Sequence, residues 1–440
     1  MLKIFDLSLK LNGFPIGKAR EKLCEILAIP ENDYSTFIED KKREIVQFHQ
    51  QNNPFYQSIA GTDRIDKWEN VPIMKKSDLQ RPLTERLSAG YSPKNVFINK
   101  TSGSSGDPMT FAKDKFCHAL IWANIMRRWN WHGIDYNSSL QARFYGRTLD
   151  FAAGLKLKLK DIFSRRYRFD IFDFSDSGID KMLAVFKSKK FDYINGYTNS
   201  ILLLAKHLRS KNIILKDICP TLKVCITTSE MLFNDDRRFL EYWLGVPIVN
   251  EYGAAELDLI AIENQQGQWQ VNAETCFVEI LDDHGNILPN GQQGRIVVTS
   301  LYNKAHPMIR YEVNDIGVLD EKSTAKKPIL KTLIGRTNDI AILPSGKRSP
   351  GMTFYSITKK LFDDDGNVVE FIIKQVKTDT FDIEYVSHRP LSNHEKTLYS
   401  KILCDYLEPG LTFNFNQTAV SARGKSGKLK QFVSLLKTDK

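Results

Sequence analysis

The sequence predicts an α/β fold, a large N-terminal α/β domain carrying a β-rich subdomain and followed by a small α+β domain, and three observations lead there. From Phe191 onward short apolar strands alternate with helices: Tyr193-Ile194-Asn195-Gly196, the helix Ser200 to Lys211, Lys223 to Thr227, the helix Asp235 to Leu244, then Val246 to Val249. That alternation indicates a parallel sheet with crossover helices. Between Ala273 and Arg310 the pattern becomes β-rich, punctuated by Asp283-His284-Gly285-Asn286 and Pro289-Asn290-Gly291, whose residues supply turn conformations. The closing stretch has strands at Glu370 to Val376 and Phe381 to Val386, a helix beginning near His394, and a Gly/Lys/Ser-rich tail after Ser421. A boundary near Asp339-Ile340, just before the turn Leu343 to Lys347, gives domains 1–339 and 340–440.

Upstream, Thr36 to Gln51 reads as a helix, and Lys115 to Trp131 as a second, aromatic-rich one in which Trp122, Trp129 and Trp131 are packing residues. The chain has 440 residues, 42% hydrophobic and 26% charged, which is ordinary globular composition with room for two or three domains. No window reaches the roughly 18 apolar residues that a membrane span needs, and Met1 to Lys10 lacks the features of a signal peptide. Six cysteines without a CxxC pair or zinc spacing suit free thiols, so a cytoplasmic location is expected. The net charge of +10 is spread over small groups such as Lys156-Lys158-Lys160 and Arg165-Arg166, not gathered into a nucleic-acid-binding tail. A solvated helical face outweighs contact with an anionic membrane surface for Gly154 to Arg168. A positive field also suits polyanionic small molecules.

The most informative stretch is Thr101-Ser-Gly-Ser-Ser-Gly-Asp-Pro-Met-Thr-Phe111, directly after the apolar Val96-Phe97-Ile98. Gly103 and Gly106 permit positive φ and close approach of the backbone, while Thr101, Ser102, Ser104 and Ser105 add hydroxyl donors to the amides. It is not the common P-loop, because Asp107-Pro108 stands where a Lys-Ser/Thr pair is required.

Further segments follow in order: Asn250-Glu-Tyr-Gly-Ala-Ala-Glu256, Pro307-Met-Ile-Arg-Tyr-Glu-Val-Asn-Asp-Ile-Gly317, Gly335-Arg-Thr-Asn-Asp339 with Leu343-Pro-Ser-Gly-Lys347, and Gly427-Lys428. Weaker echoes lie at Asn70 to Asp78, Gly196-Tyr197 and Glu279-Ile280 through Gly294. With these motifs the chain resembles the phenylacetate-CoA ligase-like branch of the adenylate-forming superfamily, close to members associated with bacterial surface-polysaccharide loci. The similarity runs from about residue 40 to the end.

The resemblance implies the adenylate-forming enzyme fold with a mobile C-terminal lid, and activation of a small carboxylic acid by ATP and Mg²⁺ as an acyl-adenylate. Transfer to a thiol, most simply coenzyme A, would follow. By the same resemblance Thr101, Ser102, Gly103, Ser104, Ser105 and Gly106 would hold the β- and γ-phosphates. Tyr252 and Gly253 would lie against the adenine, Glu256 would bind Mg²⁺, Asp315 would accept both ribose hydroxyls, and Arg336 would contact ribose or phosphate. Lys428 would bridge the substrate carboxylate and the α-phosphate, with Lys425 as the other candidate. Ser229 and Glu230 occupy the place of the adenine-side loop without its usual Gly and Pro flanks, and Asn338-Asp339 is the expected hinge. The chain departs from the superfamily at Ala255, where Thr usually touches the α-phosphate, and at Asn314, where Gly is common. Two other readings stand beside the ligase: acyl transfer to an amine or hydroxyl of a polysaccharide precursor, and a nucleotide-binding protein without turnover.

Overall fold

The structure, a computed structural model, describes residues 3–101, 108–146, 161–336, 340–363, 367–419 and 432–436. It divides into two compact units, residues 1–313 with 317–332, and residues 314–316 with 333–440.

The first unit opens with three helices, α1 (Ile4–Leu11), α2 (Ile16–Ala28) and α3 (Glu31–Asn52). Helix α3 begins at Glu31, ahead of the expected Thr36, because Pro30 precedes it and Glu31 and Asp33 place negative charge in its first turn. A hairpin of β1 (Val96–Lys100) and β2 (Thr110–Asp114) leads into α4 (Lys115–Asn130). Asp114 caps α4, its carboxylate accepting from the Cys117 amide at 2.8 Å.

The next strands are β3 (Gln141–Phe144), β4 (Arg166–Arg168), β5 (Tyr193–Tyr197), β6 (Val224–Thr228) and β7 (Ile248–Ala254). Between them run α5 (Asp176–Ser188), α6 (Thr198–Ser210) and α7 (Asn234–Leu244). Then come β8 (Asp258–Glu263), β9 (Trp269–Val271), β10 (Cys276–Leu281) and β11 (Gln293–Ser300). Strands β12 (Tyr311–Leu319) and β13 (Ile329–Arg336) run across the division between units.

Eleven strands form one sheet in the order β10-β11-β12-β13-β9-β8-β7-β6-β5-β3-β4. The β7-β6-β5-β3-β4 half is parallel, as the alternating pattern predicts. Beyond β7 the pairing turns antiparallel, and the β-rich stretch adds its strands to this same sheet. The join is short: β13 meets β9 through the pairs Ile329↔Gln270 and Leu330↔Trp269.

One face of the parallel half packs Tyr193, Val224, Ile226 and Val249 against α4 and the N-terminal helices. The other packs Ile194, Cys225 and Ile248 against α5, α6 and α7. Cores on both faces explain why these strands read as nearly continuous apolar runs. In chain order β3 is followed by β4 on one side and by β5 on the other, so the winding reverses between β3 and β5. Crevices beyond the carboxyl ends of strands at such reversals are where open α/β sheets bind ligands.

In the second unit β14 (Ile340–Ile342) and β15 (Arg348–Pro350) form a hairpin. A four-stranded sheet has β16 (Val368–Gln375) and β17 (Thr380–Ser387) at its centre, flanked by β18 (Thr412–Gln417) and β19 (Phe432–Ser434). Two helices accompany it, α8 (Gly351–Asp363) and α9 (Asn393–Tyr406). Ser392 and Glu395 form a capping box that starts α9, and a bond from Arg389 draws the Glu395 carboxyl down to about 2. The C-terminal stretch is not tail throughout, since Phe432–Ser434 pairs in parallel with β16.

Candidate active site

The glycine–serine loop hangs from the β1–β2 hairpin. Thr101 donates its amide to the Met109 carbonyl at 2.9 Å, and its hydroxyl oxygen accepts from the Met109 amide at 2.9 Å. This double bond clasps the base of the loop and leaves the Thr101 hydroxyl proton available to donate. Ser102, Gly103, Ser104, Ser105 and Gly106 lie outside the described residues.

The Tyr252 motif sits at the C-terminal end of β7. A register shift between Tyr252 and Gly253 bends the strand there. A Cβ on Gly253 would lie 2.2 Å from the Asp258 carbonyl oxygen, so the close return of β8 requires glycine. Tyr252 is buried, its ring nearly parallel to that of Trp269 with centroids 6.4 Å apart. Glu256 is buried and accepts from the Tyr311 hydroxyl at 2.9 Å.

Two ion pairs, one buried and one partly buried, neither foreseen from sequence, brace this turn and the segment leading to Tyr311. Lys113 on β2 pairs with Asp258 across 145 residues of chain, tying the strand after the loop to the turn that holds Glu256. Asp258 takes a φ of +59° to reach it. Arg310 donates to Glu279 at 2.6 Å and to the carbonyls of Glu69 and Val71 at 3.0 and 2.8 Å, while Trp68 donates to the second Glu279 oxygen at 2.6 Å. The weak sequence echoes at Asn70 to Asp78 and at Glu279 thus meet the Pro307 segment in space; Met74 also donates its amide to the Arg310 carbonyl at 3.0 Å.

Ser229 follows β6 with a φ of +67°, the left-handed conformation that glycine adopts without strain. The Glu230 carboxylate accepts from the Asn199 amide at 2.8 Å in the first turn of α6. In the second unit Asp315 is half-buried on β12, and Asn314 before it has a φ of +62°. Asn is among the few non-glycine residues that enter this region readily, which accounts for the exchange at a glycine position. Arg336 ends β13 and only its backbone is described; Asn338, Asp339, Lys425 and Lys428 lie outside the described residues.

Sequence reasoning marked Gly196-Tyr197, where the acid pocket is expected, but missed the charged and polar residues beside them at the winding reversal. Gly196 and Phe144 approach so closely that a Cβ on Gly196 would lie 2.4 Å from the Phe144 Cβ. Beside them stand Arg143, Tyr145, Asn195, Tyr197, Thr228 and Glu251. Burial raises the Glu251 carboxyl to about 7, against the polar group of Thr228, the Arg143 charge, and the polar groups of Trp129 and Asn195. Glu251 lies deep within the protein yet keeps some accessible surface.

No family model matches the chain. It is 24% identical over 327 residues to protein CapK of Staphylococcus aureus, covering 70% of this chain and 69% of that one. It is 25% identical over 280 residues to the phenylacetate-coenzyme A ligase of Pseudomonas putida, covering 62% of each. Among solved structures, 2-hydroxyisobutyryl-CoA ligase in the postadenylation state with 2-HIB-AMP superposes with a TM-score of 0.70 at 17% identity, over 92% of this chain and 90% of that one. The fold is therefore that of the adenylate-forming enzymes. In sequence the chain is similar to protein CapK and to phenylacetate-coenzyme A ligase.

Among the described residues no helix is long and apolar enough to cross a membrane.

Proposed function

We propose that the protein is an ATP-dependent, AMP-forming carboxylate ligase that passes its acyl group to coenzyme A, acting in the cytoplasm. The observation that carries this reading is the braced turn of Tyr252, Gly253 and Glu256, with Glu256 fixed by Tyr311 and the turn tied to the loop-bearing hairpin by Lys113–Asp258. The names of the relatives support the choice of a thiol acceptor.

In the first step a carboxylate oxygen of the acid bonds to the α-phosphorus of ATP while the bond to the bridging oxygen breaks and pyrophosphate leaves. In the second, the thiol sulfur of coenzyme A attacks the acyl carbon, AMP leaves, and the thiol proton passes to solvent. The chain's own groups bind and orient. Thr101 and the loop donors receive the terminal phosphates, Asp315 accepts from the ribose hydroxyls, and Lys428 offsets charge between carboxylate and α-phosphate. Glu256, an ionisable oxygen ligand with one oxygen bonded to Tyr311, has the chemistry Mg²⁺ takes when it shares carboxylates with phosphates, and the ion would neutralise phosphate charge there.

The test is acid-dependent ATP–pyrophosphate exchange across a carboxylate library, with the acylated product identified by mass spectrometry. An acyl-CoA product is expected; acylation of a sugar amine or hydroxyl in its place would move the assignment to a polysaccharide precursor. Lys428→Ala should slow acyl-adenylate formation by about 10²-fold while transfer from supplied acyl-adenylate survives. Equal losses in both steps, or none, would reject the role given to Lys428.

A further inference from the structure

The polar wall where the sheet reverses its winding carries more positive charge than the described residues neutralise. In the parallel register Gln141 pairs with Arg166 and Arg143 with Arg168, while Arg143 also pairs with Asn195. Registered neighbours project to the same face, so three arginines and Asn195 share one side of β3, β4 and β5 at the ligand-binding end. Asp161 serves two of them. It accepts from Arg168 Nε and Nη2 at 3.2 and 3.1 Å, and stands 3.6 Å from Arg166 Nε. The Arg166 side chain is 8% exposed, and its Nε has no hydrogen-bond partner among the described residues.

Arg143 is left with little. One bond from Nη1 to Gln141 Oε1 at 3.3 Å is its only hydrogen bond among the described residues, and its guanidinium lies 4.0 Å from the centroid of the Tyr145 ring. Among the described residues its Nε is buried without a hydrogen-bond partner and no carboxylate comes within 4 Å of it, although its charge reaches the Glu251 carboxyl. Tyr145 in turn packs against Tyr197, centroids 4.8 Å apart, and Tyr197, Thr228 and Glu251 are register neighbours in the row above. Glu251 immediately precedes Tyr252, so this wall borders the turn assigned to the nucleotide. Arg143 is half-buried, and a partly desolvated guanidinium gains from an anion that pairs with it, its planar fork matching a carboxylate. Stacking on Tyr145 holds that fork in place without using its donors.

We propose that Arg143 receives a second anionic group on the acid, so that the preferred substrates are dicarboxylic acids or acids with an equivalent anionic tail. This rests on the adenylating function proposed above: one carboxylate reacts and the other anchors. Three arginines on one face stand against Asp161, shared between two of them, and Glu251, whose carboxyl burial holds toward its neutral form, so the wall is cationic, and the Arg143 fork adds geometry to the charge.

The experiment compares acids that share a skeleton and differ in one terminal group, butyrate with succinate and phenylacetate with 4-carboxyphenylacetate, plus phosphonate-tailed analogues to separate carboxylate from phosphate recognition. Two readouts are taken on the full chain: pyrophosphate exchange, and equilibrium binding of each acid by calorimetry. The diacid is expected to exceed its partner in kcat/KM by about 10-fold or more, mostly through KM, the scale of a charged hydrogen bond. In Arg143→Gln the ratio of diacid to monoacid kcat/KM should collapse toward one, and Arg143→Lys should restore part of it. Thermal unfolding of both variants distinguishes lost recognition from lost folding. Exchange that ignores the second anion, or a ratio unchanged in both variants, overturns the assignment while leaving the ligase reading intact. Arg143-dependent diacid binding without exchange overturns the ligase reading and keeps the anion site. Neither exchange nor binding with any diacid overturns both.

Discussion

Two parts of the first unit handle buried charge in opposite ways. Near Tyr311 two cations each have an anion: Arg310 sits on Glu279 and on backbone carbonyls, and Lys113 on Asp258. At the winding reversal Arg143 has, among the described residues, one neutral hydrogen-bond partner, a tyrosine face and the Glu251 carboxyl at longer range. The first arrangement pairs each of these cations with a carboxylate before any ligand binds, and can hold Glu256 and Tyr252 in place before ATP arrives. The second is complete only when something is bound. The contrast separates a preorganised reacting end from a recognition end.

The largest effect should come from opening the closed side. Arg310→Ala leaves Glu279 buried with its charge uncompensated and breaks the bonds to the Glu69 and Val71 carbonyls, a loss of about 3–5 kcal/mol, readable by urea denaturation. A loss under about 1 kcal/mol would show that this side is as open as the other. Next is the turn itself: Gly253→Ala drives a methyl into the Asp258 carbonyl, costing about 1–3 kcal/mol and weakening nucleotide binding, which a melt with and without ATP would register.

Glu251 sharpens the comparison through pH. Its carboxyl is raised to about 7 from an unfolded value of 4.5, so between those values the folded protein holds the proton more tightly than the unfolded chain. The stabilisation from the protonated form is therefore full below about 4.5 and lost as pH rises toward 7. Glu251→Gln should flatten that slope, gaining about 1 kcal/mol at pH 8 relative to pH 5, less than the full shift because the residue keeps open surface. An unchanged slope would mean that the carboxyl is already balanced by Arg143. Smallest of all should be the stability change in Arg143→Gln, under about 1 kcal/mol by chemical denaturation, because few internal partners are lost. A loss comparable with that of Arg310→Ala would show that Arg143 has a counter-ion within the chain.

Much of the frame was legible in sequence because its signals are local. Periodicity located α4, β5, α6, β6 and α7 to within a few residues, and the helix expected near His394 starts at Asn393 as α9. Helices α1, α2 and α5 went unread, although each buries an apolar stripe such as Ile16, Leu23 and Ile26 on α2. Of the candidate site, the contiguous motifs around Tyr252 and Asp315 stood out, since turn geometry demands particular neighbours. The braces did not, because Lys113 and Asp258 meet across 145 residues. Arg143 and Arg168 become neighbours only once β3 and β4 are in register, and nothing local in the sequence marks either as other than a solvated charge.

The two-pair join between β9 and β13 also bears on how the chain is made. Strands β10, β11, β12 and β13 are consecutive in sequence and adjacent in the sheet, so they can pair as they emerge, through nearest-neighbour contacts. The parallel half has all its strands synthesised by Ala254, whereas the contact uniting the halves waits for Ile329. On the ribosome the edge of β9 is therefore unpaired while some sixty residues are added, roughly three to twelve seconds at ordinary elongation rates. Trp269 and Val271, which flank that edge, are the positions at which a nascent chain of this protein is most in need of shielding.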